Sequence, residues 1–243
     1  MSKFNLIFAD PPFSFDDKLE MSDVKRGAES QYNGVLSIED IKNLKVPEIT
    51  ADNAVLVLWV PSSLISDGLE IMSKWGFRQT QTNIWVKTKK DPFESLKKDL
   101  LKKIKDNSAE ATLSTKDLLK ITSDAFDEVA ENFDFDNMLG FGMGRLSRAC
   151  HELCLIGVKG KVYKDVKNKS QRSVHLAPNT KHSAKPEILQ DRFDIIFPEY
   201  QNKIELFARR QREGWTTIGN QCLGPTFGQD IRESIEDLIN KED

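Results

Sequence analysis

The chain reads as an α/β protein built on a parallel sheet, and three observations lead there. Apolar runs of strand length recur at residues 3–9, 54–60, 83–87, 152–158 and 203–207. Most are near-continuous rather than alternating, the pattern of strands covered on both faces. Helical patterns lie between several of them, the order that produces a parallel sheet. At 243 residues, 39% hydrophobic and 30% charged, the chain is long enough for one main domain with a sizeable core.

The first run ends at Pro11, so it delivers Asp10 at the C-terminal end of a buried strand, the end where open α/β sheets bind ligands. Ser37 with Asp40 three residues on fits a capping box opening a short helix through Leu44. The strand at 54–60 closes at Pro61, and a helical pattern over 64–74 stops at Gly76. A helix is expected over 186–193, then the strand at 203–207 and a short run at 215–218 leading to Gly219-Asn220-Gln221. From Asp230 onward the pattern is an amphipathic helix with charged ends, which suits a surface position.

Residues 91–137 change character, being rich in Lys, Asp, Glu and Leu without the β-branched runs of their flanks. Phe93, Leu96, Leu100, Leu101 and Ile104 form one helical stripe; Leu118, Ile121, Ala125 and Val129 form another after a cap at Ser114. A helical insertion is expected here, either a solvated pair packed on the main domain or a reader of DNA. The organisation that follows is a main domain of residues 1–90 and 138–229, the insertion at 91–137, and a C-terminal helix or tail at 230–243.

A net charge of −3 argues against a protein that coats nucleic acid indiscriminately, but not against a local basic groove. Lys161, Lys164, Lys167, Lys169, Arg172, Lys181 and Lys185, opposed locally by Asp165, form a candidate phosphate-contacting stretch that also suits a solvated loop. Three cysteines, Cys150, Cys154 and Cys222, read as core thiols rather than disulfide partners or metal ligands. No apolar run approaches a membrane span, so the expected setting is the cytoplasm.

Asp10-Pro11-Pro12-Phe13 suits a plain strand-ending turn, but it also looks like the catalytic turn of an amino-methyltransferase. An exocyclic amine is a poor nucleophile because its lone pair is delocalised into the ring. A carboxylate and a backbone carbonyl that accept its hydrogen bonds favour a tetrahedral, reactive nitrogen. Asp10 and the Pro11 carbonyl fit those parts, two prolines stiffen the turn and leave its carbonyls open, and Phe13 offers a face for stacking.

Further blocks agree: Leu36 to Leu44, Val57 to Val60, Lys74 to Phe77, Ile84 to Thr88, His151 to Gly160, Ser183 to Pro186, Lys203 to Arg209 and Gly214 to Gln221. In this order they resemble the mRNA (N6-adenosine)-methyltransferase family and its phage and bacterial adenine-specific DNA methyltransferase relatives. The resemblance implies a Rossmann-like methyltransferase sheet in permuted order, the catalytic strand before the cofactor strand, and S-adenosylmethionine as donor. It implies cofactor contacts at Asp10, Lys185, Glu205, Leu206, Phe207, Arg209, Gln211, Asn220 and Gln221. Tyr32, Trp85, Lys87, Arg145 and Glu152 are implied around the acceptor pocket, and no metal is implied. Trp59 and Trp85 equally suit a core.

Two departures stand out. Phe13 occupies a place where Trp or Tyr is usual, and the first strand begins almost at Met1, so either weaker cofactor binding or completion of the site by a partner chain is expected. The expected activity is methyl transfer to the 6-amino group of adenine in DNA, with RNA as the other acceptor and a non-catalytic nucleic-acid-binding subunit as the other class. A compact chain favours the phage or bacterial branch, as a monomer, homodimer or partnered subunit.

Overall fold

A computed structural model describes residues 3–14, 36–108, 114–142, 144, 146–179 and 184–241. Among these residues seven strands form one sheet: β1 (Phe4–Ala9), β2 (Thr50–Val60), β3 (Arg78–Thr88), β4 (His151–Lys159), β5 (Val174–Pro178), β6 (Lys203–Leu206) and β7 (Thr216–Ile218). Their spatial order is β5-β3-β4-β2-β1-β6-β7. β1 pairs in parallel with both β2 and β6, and β6 in parallel with β7.

The expected all-parallel sheet needs correction. β4 runs antiparallel to β2, with Trp59 opposite Cys154 and Val55 opposite Val158. A buried apolar run carries no direction; the connection decides that, and the long excursion after β3 brings the chain back at the end it left, the Lys87 amide donating to the Cys150 carbonyl just before β4. β3 is also longer than expected, because its first five residues are exposed and polar and give no apolar signal. β5 rises inside the basic stretch read as loop.

Among the described residues seven α-helices accompany the strands: α1 (Ile38–Lys42), α2 (Val46–Ile49), α3 (Ile65–Lys74), α4 (Glu94–Ser108), α5 (Thr115–Glu131), α6 (Ile188–Ile196) and α7 (Ile231–Asn240). Both expected caps form. Ser37 accepts from the Asp40 amide at 3.0 Å and Ser114 from the Asp117 amide at 3.2 Å, with each aspartate reaching back to complete a capping box.

The chain folds as two compact units, residues 1–85, 152–175 and 187–243, and residues 86–151 and 176–186. In the first, alternation along the strands sorts side chains to two faces. Ile7, Ala9, Leu56, Leu58, Ile204 and Leu206 enter one core with Ile41 of α1, Ile71 and Met72 of α3, and Ile235 and Leu238 of α7. Trp75 closes that layer, fully buried, its indole N–H donating to the Ile41 carbonyl at 3.1 Å. On the opposite face Phe8 meets Phe193 of α6 and Trp215 edge to face, at 5.5 and 5.2 Å between centroids. The C-terminal helix therefore belongs to the core of this unit, its apolar stripe buried and its acidic face carrying the Glu236 contact to Lys45 at 2.9 Å.

In the second unit α4 and α5 form a helical pair joined by a Lys103–Glu128 ion pair. Their predicted stripes are only partly covered. Ala125 and Val129 are buried and Leu96, Leu100 and Ile104 half-buried, whereas Phe93, Leu101 and Leu118 are exposed. Among the described residues no helix is long and apolar enough to cross a membrane.

Ile235→Ala tests the place of α7. Removing a fully buried branched side chain is expected to cost about 2–5 kcal/mol in urea unfolding. A loss near zero would show that the helix is not packed as described.

Candidate functional site

The register of the parallel strands assembles the site. Ala9 pairs with Leu206, and Leu206 with Ile218, so three strands end side by side. The next residue of each is Asp10, Phe207 and Gly219. All three line one cleft of about 160 Å³, together with Pro12, Arg209, Asn220 and Gln221.

Each strand stops for its own reason. After β1 the two prolines remove the donors that would continue the ladder. The Phe13 amide then donates to the Pro11 carbonyl at 2.9 Å, a three-residue turn centred on Pro12. The expectation of open carbonyls in this turn is thus corrected: one lone pair of the Pro11 oxygen is taken and the other is left for a second donor. Phe13 itself is only 4% exposed and packs in the core, bridged to Leu36, so in this arrangement its ring props the turn rather than facing a base.

After β6 the chain passes through Phe207 at φ 63°, the only non-glycine residue with positive φ among those described. Such a conformation costs energy and persists where the surroundings enforce it, often at binding sites. After β7, Gly219 is required sterically. A Cβ there would lie 2.3 Å from the Ala208 carbonyl oxygen, while the Ala208 amide donates to the Ile218 carbonyl at 2.9 Å. The two turns are therefore pressed together behind Asn220 and Gln221.

The fourth side of the cleft comes from residues that the sequence did not mark. Gln229, Asp230 and Ile231, at the start of α7, line it with Leu36 and Gly228. Asp230 caps α7 by accepting from the Arg232 amide at 2.8 Å, and the Arg232 guanidinium holds its carboxyl below the usual carboxylate value. The cap was readable as a helix start, but its meeting with Asp10 is a long-range contact with no local sequence signal.

Other predicted residues take different places. Leu206 is fully buried in the core. Gln211 is exposed, beside Gly224 of the loop that follows β7. Glu205 lies on the α6 face, where its Oε2 accepts from Gln190 Nε2 at 2.8 Å, and Glu205 is not among the residues lining the cleft. Burial pushes its carboxyl above the ordinary 4.5, opposed by the Gln190 hydrogen bond and Arg210 and reinforced by Asp10. Trp85 is 1% exposed and meets Trp59 edge to face at 6.3 Å between centroids, so both rings belong to the interior. Glu152, at the start of β4, is half-buried.

Lys87 and Lys185 belong to the second unit, Lys185 half-buried. The backbone of Lys87 is pinned on both sides, its amide donating to the Cys150 carbonyl and its carbonyl accepting from Gly140, each at 2.7 Å. The glycines that follow serve close packing: a Cβ on Gly142 would sit 2.0 Å from the Ala149 carbonyl oxygen. Tyr32 and Arg145 lie outside the described residues. Among the described residues of the basic stretch none lines the cleft; Lys167 pairs with Glu199 at 3.1 Å, and Lys169 and Arg172 line a separate cavity. Cys154 and Cys222 are buried as expected, but Cys150 is half-buried.

A three-layer α/β unit whose ligand-type cleft opens beyond the ends of parallel strands defines a Rossmann-like class. Comparison with known proteins narrows it. The MT-A70 family model matches residues 4–138 and 134–221, and the chain belongs to that methyltransferase family. It is 23% identical to the Type II methyltransferase M.MunI of Mycoplasma sp. over 93% of this chain and 83% of that protein. It is 23% identical to the N(6)-adenosine-methyltransferase MT-A70-like protein of Arabidopsis thaliana over 92% of this chain but only 24% of that protein. A third match, 33% identical, is to the Arabidopsis N6-adenosine-methyltransferase non-catalytic subunit MTB, over 37% of this chain and 11% of that one.

Glu205 supplies a test of the electrostatics. Its carboxyl holds a proton more tightly in the folded chain than in the unfolded one, so its ionisation removes stability as pH rises above 4.5. Wild type is expected to lose stability relative to Glu205→Gln across that rise, in urea unfolding at a series of pH values. Parallel curves would contradict a buried, desolvated carboxylate.

Proposed function

We propose that this chain transfers a methyl group from S-adenosylmethionine to the exocyclic 6-amino group of adenine in DNA. The observation that carries the reading is the common edge of β1, β6 and β7. The Asp-Pro-Pro turn and the Asn220-Gln221 segment border the same cleft, although Asp10 and Gly219 lie 209 positions apart in the chain.

The donors around the cleft suit the cofactor. Asp10 and Asp230 are carboxylates for an ammonium group, Arg209 is a guanidinium for a carboxylate, and the amides of Asn220 and Gln221 can take ribose hydroxyls or a base edge. Phe207 adds an apolar wall. When bound, S-adenosylmethionine supplies an electrophilic methyl on a sulfonium. Asp10 accepts a hydrogen bond from the adenine amine, and the second lone pair of the Pro11 oxygen accepts the other. Together they draw the nitrogen lone pair out of the ring and fix the direction of attack. The buried Phe13 keeps the turn in place from beneath.

The likeness to the Type II methyltransferase M.MunI supports DNA as the acceptor, and the likeness to the N(6)-adenosine-methyltransferase relative keeps RNA as the alternative. In duplex DNA the base must leave the stack, at a cost of a few kcal/mol. The likeness to a non-catalytic subunit is the second reading; Asp10 and Pro12 in the lining of the cleft support a reacting chain over a scaffold. Cys150, Cys154 and Cys222 form no disulfide among the described residues, and two of them are buried, which suits a reducing, cytoplasmic setting.

Asp10→Ala is expected to lower kcat by about 100-fold or more, with an unchanged unfolding midpoint, because a preorganised acceptor is removed from the developing charge. Labelled S-adenosylmethionine with unmethylated DNA or RNA, digested to nucleosides, reads this out as N6-methyladenine. Equal product from wild type and variant would sink the mechanism, and product in RNA alone would replace the acceptor.

A further inference from the structure

The first unit holds a second cavity, of about 250 Å³, that shares no lining residue with the cleft at Asp10. Its floor is the α6-side face of the sheet, with Val55 of β2 and Ile156 of β4 facing Phe193 of α6. Val55 pairs with Leu6, so the cavity lies toward the starting end of β1, away from the end that carries Asp10. The rim has the opposite character. Lys169, Arg172 and Arg192 line it, and no Asp or Glu among the described residues does. Asp165, the one acid in the preceding stretch, is engaged by the Tyr200 hydroxyl at 2.9 Å.

Two features give this space a built wall. Arg192 Nη1 donates to the carbonyls of Arg172 and Val174, at 2.7 and 3.1 Å, which ties α6 to the approach to β5 and fixes a cation at the rim. Beside it His175 is 1% exposed, its Nε2 lying 3.3 Å from Asn83 Nδ2. Asn83 Oδ1 accepts from Gln81 Nε2 at 3.0 Å, so the Asn83 amide turns its N–H toward the ring. His175 Nε2 is then the acceptor and Nδ1 carries the proton. Burial, with Arg192 nearby, lowers the His175 pKa to about 4 and keeps the ring neutral. Its Nδ1 finds no hydrogen-bond partner among the described residues. A buried donor without an acceptor, in the wall of a cation-rimmed cavity, marks a place where an acceptor is missing.

We infer that this cavity binds an organic phosphate the size of a nucleoside monophosphate, its flat body on the Val55, Ile156 and Phe193 floor and its phosphate on Lys169 and Arg172. A free phosphate would leave the apolar floor uncovered, and an uncharged aromatic would leave the cations unmatched. More than one cation with no lining acid suits a dianion better than a single carboxylate. The site is independent of the methyl-transfer reading.

Calorimetric titration of the full chain with adenosine monophosphate, adenosine and inorganic phosphate tests it. Adenosine monophosphate is expected to bind with one molecule per chain, and adenosine and phosphate each at least about tenfold more weakly. The exposed pair Lys169→Glu with Arg172→Glu is expected to weaken adenosine monophosphate at least about tenfold, with thermal unfolding unchanged, and Lys169→Gln with Arg172→Gln to do so by less. Arg209→Ala, in the other cleft, is expected to leave that binding as it is. No binding to wild type, binding indifferent to both charge changes, or binding lost in Arg209→Ala would each overturn the assignment.

Discussion

Parallel pairing of β1, β6 and β7 is the constraint on which the rest of the structure depends. Because Ala9, Leu206 and Ile218 sit in one row, the residues that follow them emerge at one edge of the sheet. A register slip of one residue in β6 would exchange its faces, sending Glu205 into the apolar core and Leu206 toward α6. The core therefore enforces the row. Leu206 is fully buried between Ala9 and Ile218.

What the row presents is stiff. Two prolines end β1, a left-handed Phe207 ends β6, and Gly219 lets the turn after β7 press on Ala208. The turns after β6 and β7 cannot relax without disturbing each other. Preorganisation of this kind is how weak individual hydrogen bonds become useful to a reaction, since the chain has met the ordering cost during folding. The same sheet carries different chemistry on its other face, where Glu205, Gln190 and Arg210 form a polar chain beneath α6.

Local chemistry was legible in the sequence and long-range geometry was not. The Asp-Pro-Pro turn, the capping boxes at Ser37 and Ser114, and the buried runs of β1, β2 and β4 each follow from neighbours a few residues apart. The direction of β4 was hidden because a continuous apolar run reads the same both ways. The first half of β3 was hidden because Arg78 to Thr82 are all polar and exposed. Glu205 read as a ligand contact, and a carboxylate at that position looks identical whether it meets a ribose or Gln190. Phe13 read as a stacking face, but its burial depends on Leu36 and the core beyond it. Gln229 and Asp230 gave only a helix start, since nothing nearby in sequence says that α7 folds back to the cleft.

The central claim is that the ends of β1, β6 and β7 form one cofactor cleft. Amide hydrogen exchange with and without S-adenosylhomocysteine tests it most directly. The account predicts that binding slows exchange together at Asp10, at Phe207 to Arg209 and at Gly219 to Gln221. Binding that leaves these segments unprotected, or protects only one of them, would contradict it.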